Sequence, residues 1–241
     1  MDNNTEEKII NEENAASPAA ASEKAEEKKE GSILSDIVEI VESTLIAVFV
    51  MIMLITYCAH PVTISGHSMV PTLNKHFDDS QEQDKILMSM VYTDVKYGDI
   101  IVIDNDKNYL LNDNGEAYVP DQKMQSTLNQ CIIKRVIACE GQTIDISDNK
   151  VTVDGKVIDE PYIAAGSTTN DLGAFTGQYP ITIPKGYCFV MGDNRNGSTD
   201  SRDSHVGLIS KKQIYGKAII RYYPLKNFKF LFNSWKESAN D

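Results

Sequence analysis

One apolar run constrains this 241-residue chain more than any other feature. Seventeen consecutive residues, 43–59, carry no charge and are dominated by Leu, Ile, Val, Met and Phe, and residues 60–64 add five more without Asp, Glu, Lys or Arg. A helix needs about 20 apolar residues to cross the roughly 30 Å of hydrocarbon in a bilayer. We therefore predict one transmembrane helix with its flanks in residues 36–62, and a lipid bilayer as a partner.

Two other interpretations of the run are a buried core helix and the apolar part of a cleavable signal peptide. A signal peptide usually has a positively charged start and a small-residue cleavage site. Here Glu39 and Glu42, together with a long acidic segment, precede the run instead. The pattern therefore favours a retained single span.

Positive charges near the run predict its orientation. Lys28 and Lys29 lie shortly upstream, whereas the first basic residue downstream is Lys75. Lys and Arg close to the end of a span favour the cytoplasmic side. We expect a single-pass protein of the cell membrane, with its N-terminus cytoplasmic and residues 63–241 extracytoplasmic.

The segment before the span is strongly acidic. Twelve acidic residues and four lysines lie in residues 1–42, which leaves only −4 of the net charge of −12 for the rest of the chain. A segment so poor in aromatic residues buries too little apolar surface to offset the entropy lost on ordering. We predict that residues 1–35 form a disordered cytoplasmic tail, although helical spacing of Glu and Lys in Ala20–Glu30 leaves transient helix open. Neither part of the chain is basic enough to hold a phosphate backbone, so we expect no nucleic acid partner.

Beyond the span, short apolar runs alternate with clusters of Gly, Asn, Asp and Pro. These runs are Lys85–Met90, Asp99–Ile103, Cys131–Ala138, Val151–Val153, Ile181–Ile183, Tyr187–Met191 and Lys217–Tyr223. Such runs are typical of strands, and no long 3.6-residue period competes with them. We predict an all-β body of mostly antiparallel sheets, with a hairpin at Val151–Ile158 that turns at its Asp-Gly pair.

Two polar stretches interrupt this pattern. We interpret Asp104–Gln130 as an extended loop or ribbon and Ala164–Gln178, rich in Gly, Ser and Thr, as a mobile surface loop.

The four cysteines, at positions 58, 131, 139 and 188, are too few for a disulfide scaffold. We expect small buried side chains, with a Cys131–Cys139 disulfide left open. No His, Cys or Asp spacing suits a metal, and we expect no cofactor.

Ser68 is the first candidate for catalysis. It follows the span closely, in the sequence Ile64-Ser65-Gly66-His67-Ser68-Met69-Val70-Pro71-Thr72-Leu73. A serine hydroxyl is a weak nucleophile until a base takes its proton. None of the four histidines, at positions 60, 67, 76 and 205, is well placed for that role, because they adjoin the span, adjoin Ser68 or sit in polar loops.

Lysine is the other possible base, provided that burial lowers its pKa from about 10.4. In a strand at 131–138, Ile132, Lys134 and Val136 share one face and Arg135 points to the other. Lys134 would then project from an apolar surface. The segment alone fits equally well an edge-strand lysine that discourages aggregation between sheets.

The stretch 191–202 decides between these interpretations. It reads Met-Gly-Asp-Asn-Arg-Asn-Gly-Ser-Thr-Asp-Ser-Arg and follows an apolar strand. Together with Ser68-Met69-x-Pro71-Thr72, with Tyr97-Gly98-Asp99-Ile100 and with Lys134-Arg135, it closely resembles the bacterial type I signal peptidases. The resemblance spans roughly residues 37–224, with the motifs in the family's order behind a membrane anchor.

The resemblance implies a membrane-bound serine endopeptidase that removes signal peptides from exported preproteins with a Ser-Lys dyad. By that match Ser68 is the nucleophile and Lys134 the general base, while Ser198 bonds the lysine amine. Asp200 and Arg202 brace their loop, and Arg135 supports the site. The family's architecture also implies a catalytic core at about 63–144 and 186–224, a cap at about 145–185, and a functional monomer.

The family also implies an extended substrate with small residues at the first and third positions before the cut. Ile64, Ser65 and Met69 are candidate pocket walls. Two departures stand out. Gly66 occupies the position where some members carry a second oxyanion-hole hydroxyl, and residues 138–142 read Ala-Cys-Glu-Gly-Gln where the family commonly has Gly-x-Pro-Gly-Asp.

Two alternatives remain at this point. One is a Ser-Lys protease of the same fold with a specialised substrate. The other is a membrane-anchored β-domain that binds a partner without catalysis. The presence of both dyad residues argues against the second.

Overall fold

The computed structural model describes residues 18–75, 82–92, 94–120 and 131–232. Contacts within the chain divide it into two compact units, Met1–Leu54 and Ile55–Asp241. The first unit contributes a helix and the second a β body. The predicted division of the body into core and cap stays a prediction.

Helix α1 runs from Pro18 to Tyr57. Its segment Leu34–Tyr57 is 24 residues long, has a mean hydropathy of 2.3 and is not buried. This length and composition suit a membrane span. The predicted apolar helix is therefore present.

Helix α1 begins at Pro18, within the segment predicted to be a tail, and residues 1–17 of that segment lie outside the described residues. Ala, Glu and Lys are good helix formers, and extending an existing helix costs far less than nucleating one. At the other end the helix stops at Tyr57, because Pro61 follows and disfavours helical conformation in the residue before it.

The body is built on one eight-stranded antiparallel sheet in the order β1-β2-β13-β3-β6-β11-β12, with β14 paired to β13. Its strands are β1 (Ala59–Thr63), β2 (Lys85–Ser89), β3 (Ile100–Asp104), β6 (Cys131–Cys139), β11 (Tyr187–Met191), β12 (Ile209–Ser210), β13 (Ile214–Tyr223) and β14 (Lys229–Phe230). The expected all-β, antiparallel body is confirmed.

A smaller sheet has the order β10-β7-β8-β9, and a two-stranded ribbon pairs β4 with β5. The strands are β7 (Thr143–Ser147), β8 (Lys150–Val153), β9 (Lys156–Val157), β10 (Ile181–Thr182), β4 (Leu110–Leu111) and β5 (Ala117–Tyr118). The predicted hairpin is β8–β9, and both its turn residues, Asp154 and Gly155, have positive φ as a two-residue hairpin turn requires. The ribbon confirms the predicted ribbon within 104–120, and residues 121–130 lie outside the described residues.

Strand β6 is the centre of the body's packing. Seven of its nine residues are buried, because it lies between β3 and β11 and is covered on both faces. Ile132 and Val136 enter one apolar cluster, whereas Ile133 packs into another with Met69 and Leu73. The catalytic candidate Lys134 is therefore carried by an interior strand.

Two expectations about loops and cysteines need correction, and the disulfide that was left open does not form. The stretch 164–178 is anchored rather than free, since Phe175 is fully buried in a core cluster and Thr169 is buried too. All four cysteines are free thiols, and only Cys188 is buried. Cys131 and Cys139 lie at opposite ends of β6, too far apart for a disulfide, which needs Cα atoms within about 7 Å.

Candidate active site

Ser68 lies in the turn-rich connection between β1 and β2. The turn is closed by backbone bonds, since Val70 N–H donates to His67 O at 3.1 Å and Leu73 N–H donates to Met69 O at 2.9 Å. Met69 and Leu73 are buried and fix the turn to the core. The nucleophile candidate is thus held on an ordered connection.

The buried side chain of Asn74 stabilises this connection by hydrogen bonds to its backbone. Its Nδ2 donates to Ile64 O and to Gly66 O, both at 2.9 Å. Its backbone N–H donates to Asp84 Oδ2 at 2.8 Å, and its Oδ1 accepts from Asp84 N–H at 2.7 Å. These bonds satisfy the backbone on either side of Gly66, which has a positive φ of 90°.

Lys134 lies next to Ser68. Its Nζ is 3.0 Å from Ser68 Oγ and 3.0 Å from the Ile133 carbonyl oxygen, and the residue is only 4% exposed. The edge-strand interpretation of this lysine is excluded, because β6 is an interior strand. The two residues sit at the distance that proton transfer between them requires.

Burial lowers the pKa of Lys134 from 10.5 to about 8. Desolvation of the charged amine is the main cause, and the carboxylates of Asp200 and Asp193 oppose it. Neither carboxylate forms an ion pair with the lysine, because each is paired to an arginine. At pH 7 most of the amine is still charged, and about a tenth of it is neutral and able to act as a base.

The side chain of Arg135 contacts different residues from those that the Lys134 side chain contacts. Its guanidinium donates to both Asp193 oxygens, at 2.8 and 2.6 Å, and to Gly98 O at 2.9 Å. It also lies over the ring of Tyr162, 4.1 Å from the centroid. Thr72, in the Ser68 connection, donates to the same Asp193 carboxylate. Arg135 and Asp193 thus tie together β6, the connection that carries Ser68 and the loop after β11.

That loop, residues 192–202, is braced by a second buried ion pair. Arg202 donates to Asp200 Oδ1 at 2.8 Å and to Oδ2 at 2.9 Å, and Asp200 Oδ2 accepts from Gly192 N–H at 2.9 Å. Arg202 also donates to Arg195 O at 2.9 Å. All the hydrogen-bonding groups named here are buried, so the loop is rigid where it faces the dyad.

Ser198 reaches the site but does not bond as expected. Its side-chain oxygen is buried and has no hydrogen-bond partner within the described residues, so the predicted bond to Lys134 is not formed. The Lys134 amine instead bonds Ser68 and the Ile133 carbonyl. Ser198 remains close to the dyad, since a Cβ placed on Gly192 would lie 2.2 Å from Ser198 Oγ and 2.4 Å from Ser68 O.

A cavity of about 450 Å³ opens beside the dyad. Ser68 and Lys134 line it together with β1 residues Val62 and Thr63 and the segment 64–67. Ile64 and Ser65 are thus on its wall as predicted. Met69 is not among the lining residues and is 1% exposed, because it packs into the core beneath the turn.

Sequence reasoning gave no role to several polar residues that complete the site. They are Thr72, Asn74, Tyr162, Asp193 and Asn194. The signal for Asp193 and Asn194 was their place in the polar stretch after an apolar strand. Asn74 and Tyr162 carried no local signal, because their roles depend on contacts with residues distant in sequence.

No group of three or more His, Cys, Asp or Glu side chains within the described ranges is arranged to hold a metal ion. What the arrangement can do chemically follows from the dyad. A buried amine with a pKa of about 8 beside a serine hydroxyl can activate that hydroxyl for attack on a carbonyl.

Comparison with known proteins agrees with this chemistry. The family model described as signal peptidase, peptidase S26 matches residues 37–223. This chain belongs to that family. The match begins within the apolar helix and extends to the end of β13, so it includes both dyad residues.

Curated relatives match nearly their whole length. A signal peptidase I of Bacillus amyloliquefaciens is 29% identical over 213 residues, covering 84% of this chain and 97% of the relative. Signal peptidase I P of Bacillus subtilis subsp. natto is 32% identical over 206 residues, covering 83% and 97%. A crystal structure of a signal peptidase I of Enterococcus faecalis V583 matches 53% of this chain and 98% of its own, at 21% identity and a TM-score of 0.37.

Proposed function

We propose that this protein is a membrane-anchored serine endopeptidase that removes N-terminal signal peptides from exported preproteins. Ser68 is the nucleophile and Lys134 the general base. The observation that carries this proposal is the 3.0 Å contact between Lys134 Nζ and Ser68 Oγ in a site that lowers the lysine pKa to about 8. Membership in the signal peptidase family supplies the substrate class.

The reaction follows from these two side chains. Neutral Lys134 Nζ takes the proton of Ser68 Oγ as the oxygen attacks the scissile carbonyl carbon, and the negative charge moves to the carbonyl oxygen. The Ser68 backbone N–H stabilises that oxyanion. The protonated lysine then gives its proton to the leaving amine. In the second half, Lys134 takes a proton from water as the water attacks the acyl-serine ester. Lys134 then returns a proton to Ser68 Oγ as the bond between that oxygen and the acyl carbon breaks, which releases the carboxylic acid product and restores the free serine.

The cavity beside the dyad is the proposed substrate site. Its walls include Ile64 and Ser65 and the strand β1, which is an end strand of the main sheet and pairs only with β2 among the described strands. An extended peptide can add to such an edge and place alternate side chains in shallow pockets. We propose that Ile64 and Ser65 contact the residues just before the cut, which in this family are small.

Supporting roles follow from the buried contacts. Arg135 positions Lys134's strand through Asp193, while Asp200 and Arg202 hold the loop 192–202 against the dyad. Ser198 is proposed to bond the Lys134 amine when the amine releases Ser68 Oγ during the reaction. We propose that one chain contains the whole site and acts as a monomer in the bilayer.

We further propose that the N-terminus is cytoplasmic and the β body extracytoplasmic. The lysines at 28 and 29 support this orientation, because positive charge next to a span favours the cytoplasmic side. Protease added outside intact spheroplasts should digest the β body and spare residues before the span. Digestion only after lysis would reverse the assignment.

The catalytic proposal is tested with a model preprotein and four proteins: the wild type, Ser68→Ala, Lys134→Ala and Lys134→Arg. The wild type should cut once, after a small residue, and sequencing of the mature product locates the cut. All three variants should lose at least a thousandfold in rate, since a guanidinium cannot act as a base at neutral pH. Cleavage by Ser68→Ala at the wild-type rate would refute the proposal.

The test also separates the remaining alternatives. A protease with a specialised substrate would leave general preproteins uncut yet react at Ser68 with a serine-directed inhibitor. A binding module without catalysis would do neither.

A further inference from the structure

Asn194 holds the backbone on both sides of the nucleophile. Its side-chain Nδ2 donates to His67 O at 3.2 Å, and its backbone N–H donates to Ser68 O at 3.0 Å. The two accepting carbonyls belong to consecutive peptide units. One residue of the loop after β11 therefore fixes the peptide units before and after the Ser68 Cα.

The bond to His67 O controls the Ser68 amide. The His67 carbonyl and the Ser68 N–H belong to one planar trans peptide and point in opposite directions. Val70 N–H also donates to His67 O, at 3.1 Å. Two donors on this oxygen fix the rotation of the peptide plane, and with it the direction of the Ser68 N–H.

The same bond strengthens that N–H as a donor. Hydrogen bonds in a chain polarise one another, and each donor on a peptide oxygen makes the N–H of the same peptide more positive. Preorganised donors of this kind stabilise an oxyanion because they need no reorganisation during the reaction. The effect matters more here than in a site with two donors of its own, because Gly66 offers no side-chain hydroxyl.

The Asn194 amide is itself held in place. Its Oδ1 accepts from Gly197 N–H at 3.2 Å and caps the short 3-10 helix Arg195–Gly197. Gly197 leaves room for the amide, since a Cβ at that position would lie 2.7 Å from Asn194 Nδ2. With the oxygen used by the cap, the nitrogen is directed to His67.

We infer that Asn194 is the positioning residue of the oxyanion hole, and that its side-chain N–H aligns and polarises the Ser68 amide that receives the developing negative charge. This inference rests on the proposed function, with Ser68 as nucleophile. The two side-chain atoms of Asn194 then have different roles: Oδ1 caps the short helix, and Nδ2 aligns the Ser68 amide for the reaction.

The two atoms can be separated by substitution. Asn194→Ser keeps a good helix cap and loses the donor to His67, without adding charge. Asn196→Ser is the matched control, because Asn196 lies in the same loop and, within the described residues, its side-chain oxygen accepts hydrogen bonds from Thr168 alone. Gly197→Ala is an independent second variant that pushes the Asn194 amide away from His67 while Asn194 is retained.

Activity is measured on the full-length protein in detergent with a peptide substrate. We expect kcat of Asn194→Ser to fall about tenfold to hundredfold, less than the roughly 10² to 10³ lost when an oxyanion donor is removed outright. KM should stay within twofold, and the midpoint of the pH–rate profile should not move. Asn196→Ser should retain wild-type kcat.

A substrate-like peptide aldehyde gives the discriminating readout. Ser68 Oγ adds to its carbonyl carbon, its proton passes to Lys134, and the resulting hemiacetal oxygen occupies the oxyanion position. The inhibition constant should rise in Asn194→Ser by the same factor by which kcat falls, as for other transition-state analogues. If Asn194 had a purely structural role, Asn194→Ser would instead lower the melting temperature or change KM. The rise in the inhibition constant would then be unrelated to the fall in kcat.

The outcomes are distinct. Wild-type kcat in Asn194→Ser, or a loss of kcat without weaker aldehyde binding, overturns the inference and leaves the dyad intact. An active Ser68→Ala protein overturns the proposed function itself. If Asn194→Ser does not fold, Gly197→Ala decides the question by the same measurements.

Discussion

At the scale of single residues, Lys134 sets the pH range in which the dyad can work. Only the neutral amine accepts the serine proton, and the neutral fraction grows as pH rises through the pKa of about 8. We expect kcat/KM to increase about tenfold per pH unit below pH 7 and to level off above pH 9. A pH–rate profile with a peptide substrate checks this, with melting curves at each pH as the control for folding. A flat profile between pH 6 and 9 would contradict the assigned base.

The burial of Lys134 also lowers the free energy of unfolding of the protein. A pKa lowered from 10.5 to about 8 corresponds to about 3 kcal/mol at roughly 1.36 kcal/mol per unit. Below pH 8 the lysine is charged in both folded and unfolded states, so this cost is present in full. Between pH 8 and 10.5 the unfolded state binds more protons, so stability rises with pH there and the cost disappears.

We therefore expect Lys134→Met to abolish activity and to raise the free energy of unfolding at pH 7 by about 1–3 kcal/mol, because an apolar chain of similar length replaces a buried charge. The gain should shrink toward pH 10.5. Urea unfolding at several pH values measures it, and Lys150→Met, at an exposed position, is the control. A destabilised Lys134→Met protein would show that the amine is better satisfied than its burial implies.

Gly192 is required by close contact rather than by backbone conformation. A Cβ there would lie 2.2 Å from Ser198 Oγ and 2.4 Å from Ser68 O, so Gly192→Ala must displace the nucleophile's backbone. We expect at least a hundredfold loss of kcat/KM. The matched control is Gly216→Ala, which meets Ser89 O at 2.5 Å in the sheet far from Ser68 in sequence. Both variants should lower the melting temperature, but the folded Gly216→Ala protein should keep its rate.

At the scale of elements, the buried Arg135–Asp193 pair joins β6 to the loop after β11. Both side chains are fully buried, so Asp193→Asn leaves an arginine without its counter-charge, which typically costs about 3–5 kcal/mol. Asp94→Asn breaks an exposed pair with Lys211 and should cost at most about 1 kcal/mol. Chemical unfolding of the wild type and of both variants measures how much free energy of unfolding each substitution removes. Similar losses would mean that the buried pair adds nothing beyond a surface contact.

Most strands could be predicted because each carries its own signal. Cys131–Ala138 and Tyr187–Met191 are apolar runs bounded by polar clusters, and Asp154-Gly155 is a strong hairpin turn. The Ser68–Lys134 dyad could be predicted from the resemblance to the type I signal peptidases together with the expected burial of Lys134. These parts depend on residues that are neighbours in the sequence.

Features that depend on distant contacts could not be predicted. The alternation in 131–138 does not reveal that β6 is an interior strand, and the turn at Ser68 does not reveal that Met69 packs inward. The bond of Ser198 to Lys134 was carried over from the family and is absent in the structure. The start of α1 at Pro18 follows from the high helix propensity of Ala, Glu and Lys next to an apolar helix.

At the scale of the whole molecule, the β body should fold and cut peptides without the apolar helix. Leu34–Tyr57 is not buried, whereas β1 pairs with β2 over five residues and must be kept. We expect a variant that begins at Cys58 to cleave a short peptide with kcat/KM within threefold of the wild type. Cleavage of a preprotein held in lipid vesicles should fall at least tenfold, because the enzyme is no longer concentrated at the bilayer. Equal rates on both substrates would remove any role for the anchor in substrate capture.

The sheet order also has a consequence for biosynthesis. Strand β13 lies between β2 and β3, so within the main sheet β1 and β2, which flank Ser68, are connected to β3 and β6, the strand of Lys134, through residues 214–223. A ribosome completes both dyad residues long before it reaches that strand. We therefore expect a nascent chain to lack its complete main sheet while its own membrane segment is being inserted. The protease should become active only once β13 has been made, after the enzyme's own anchor has entered the membrane.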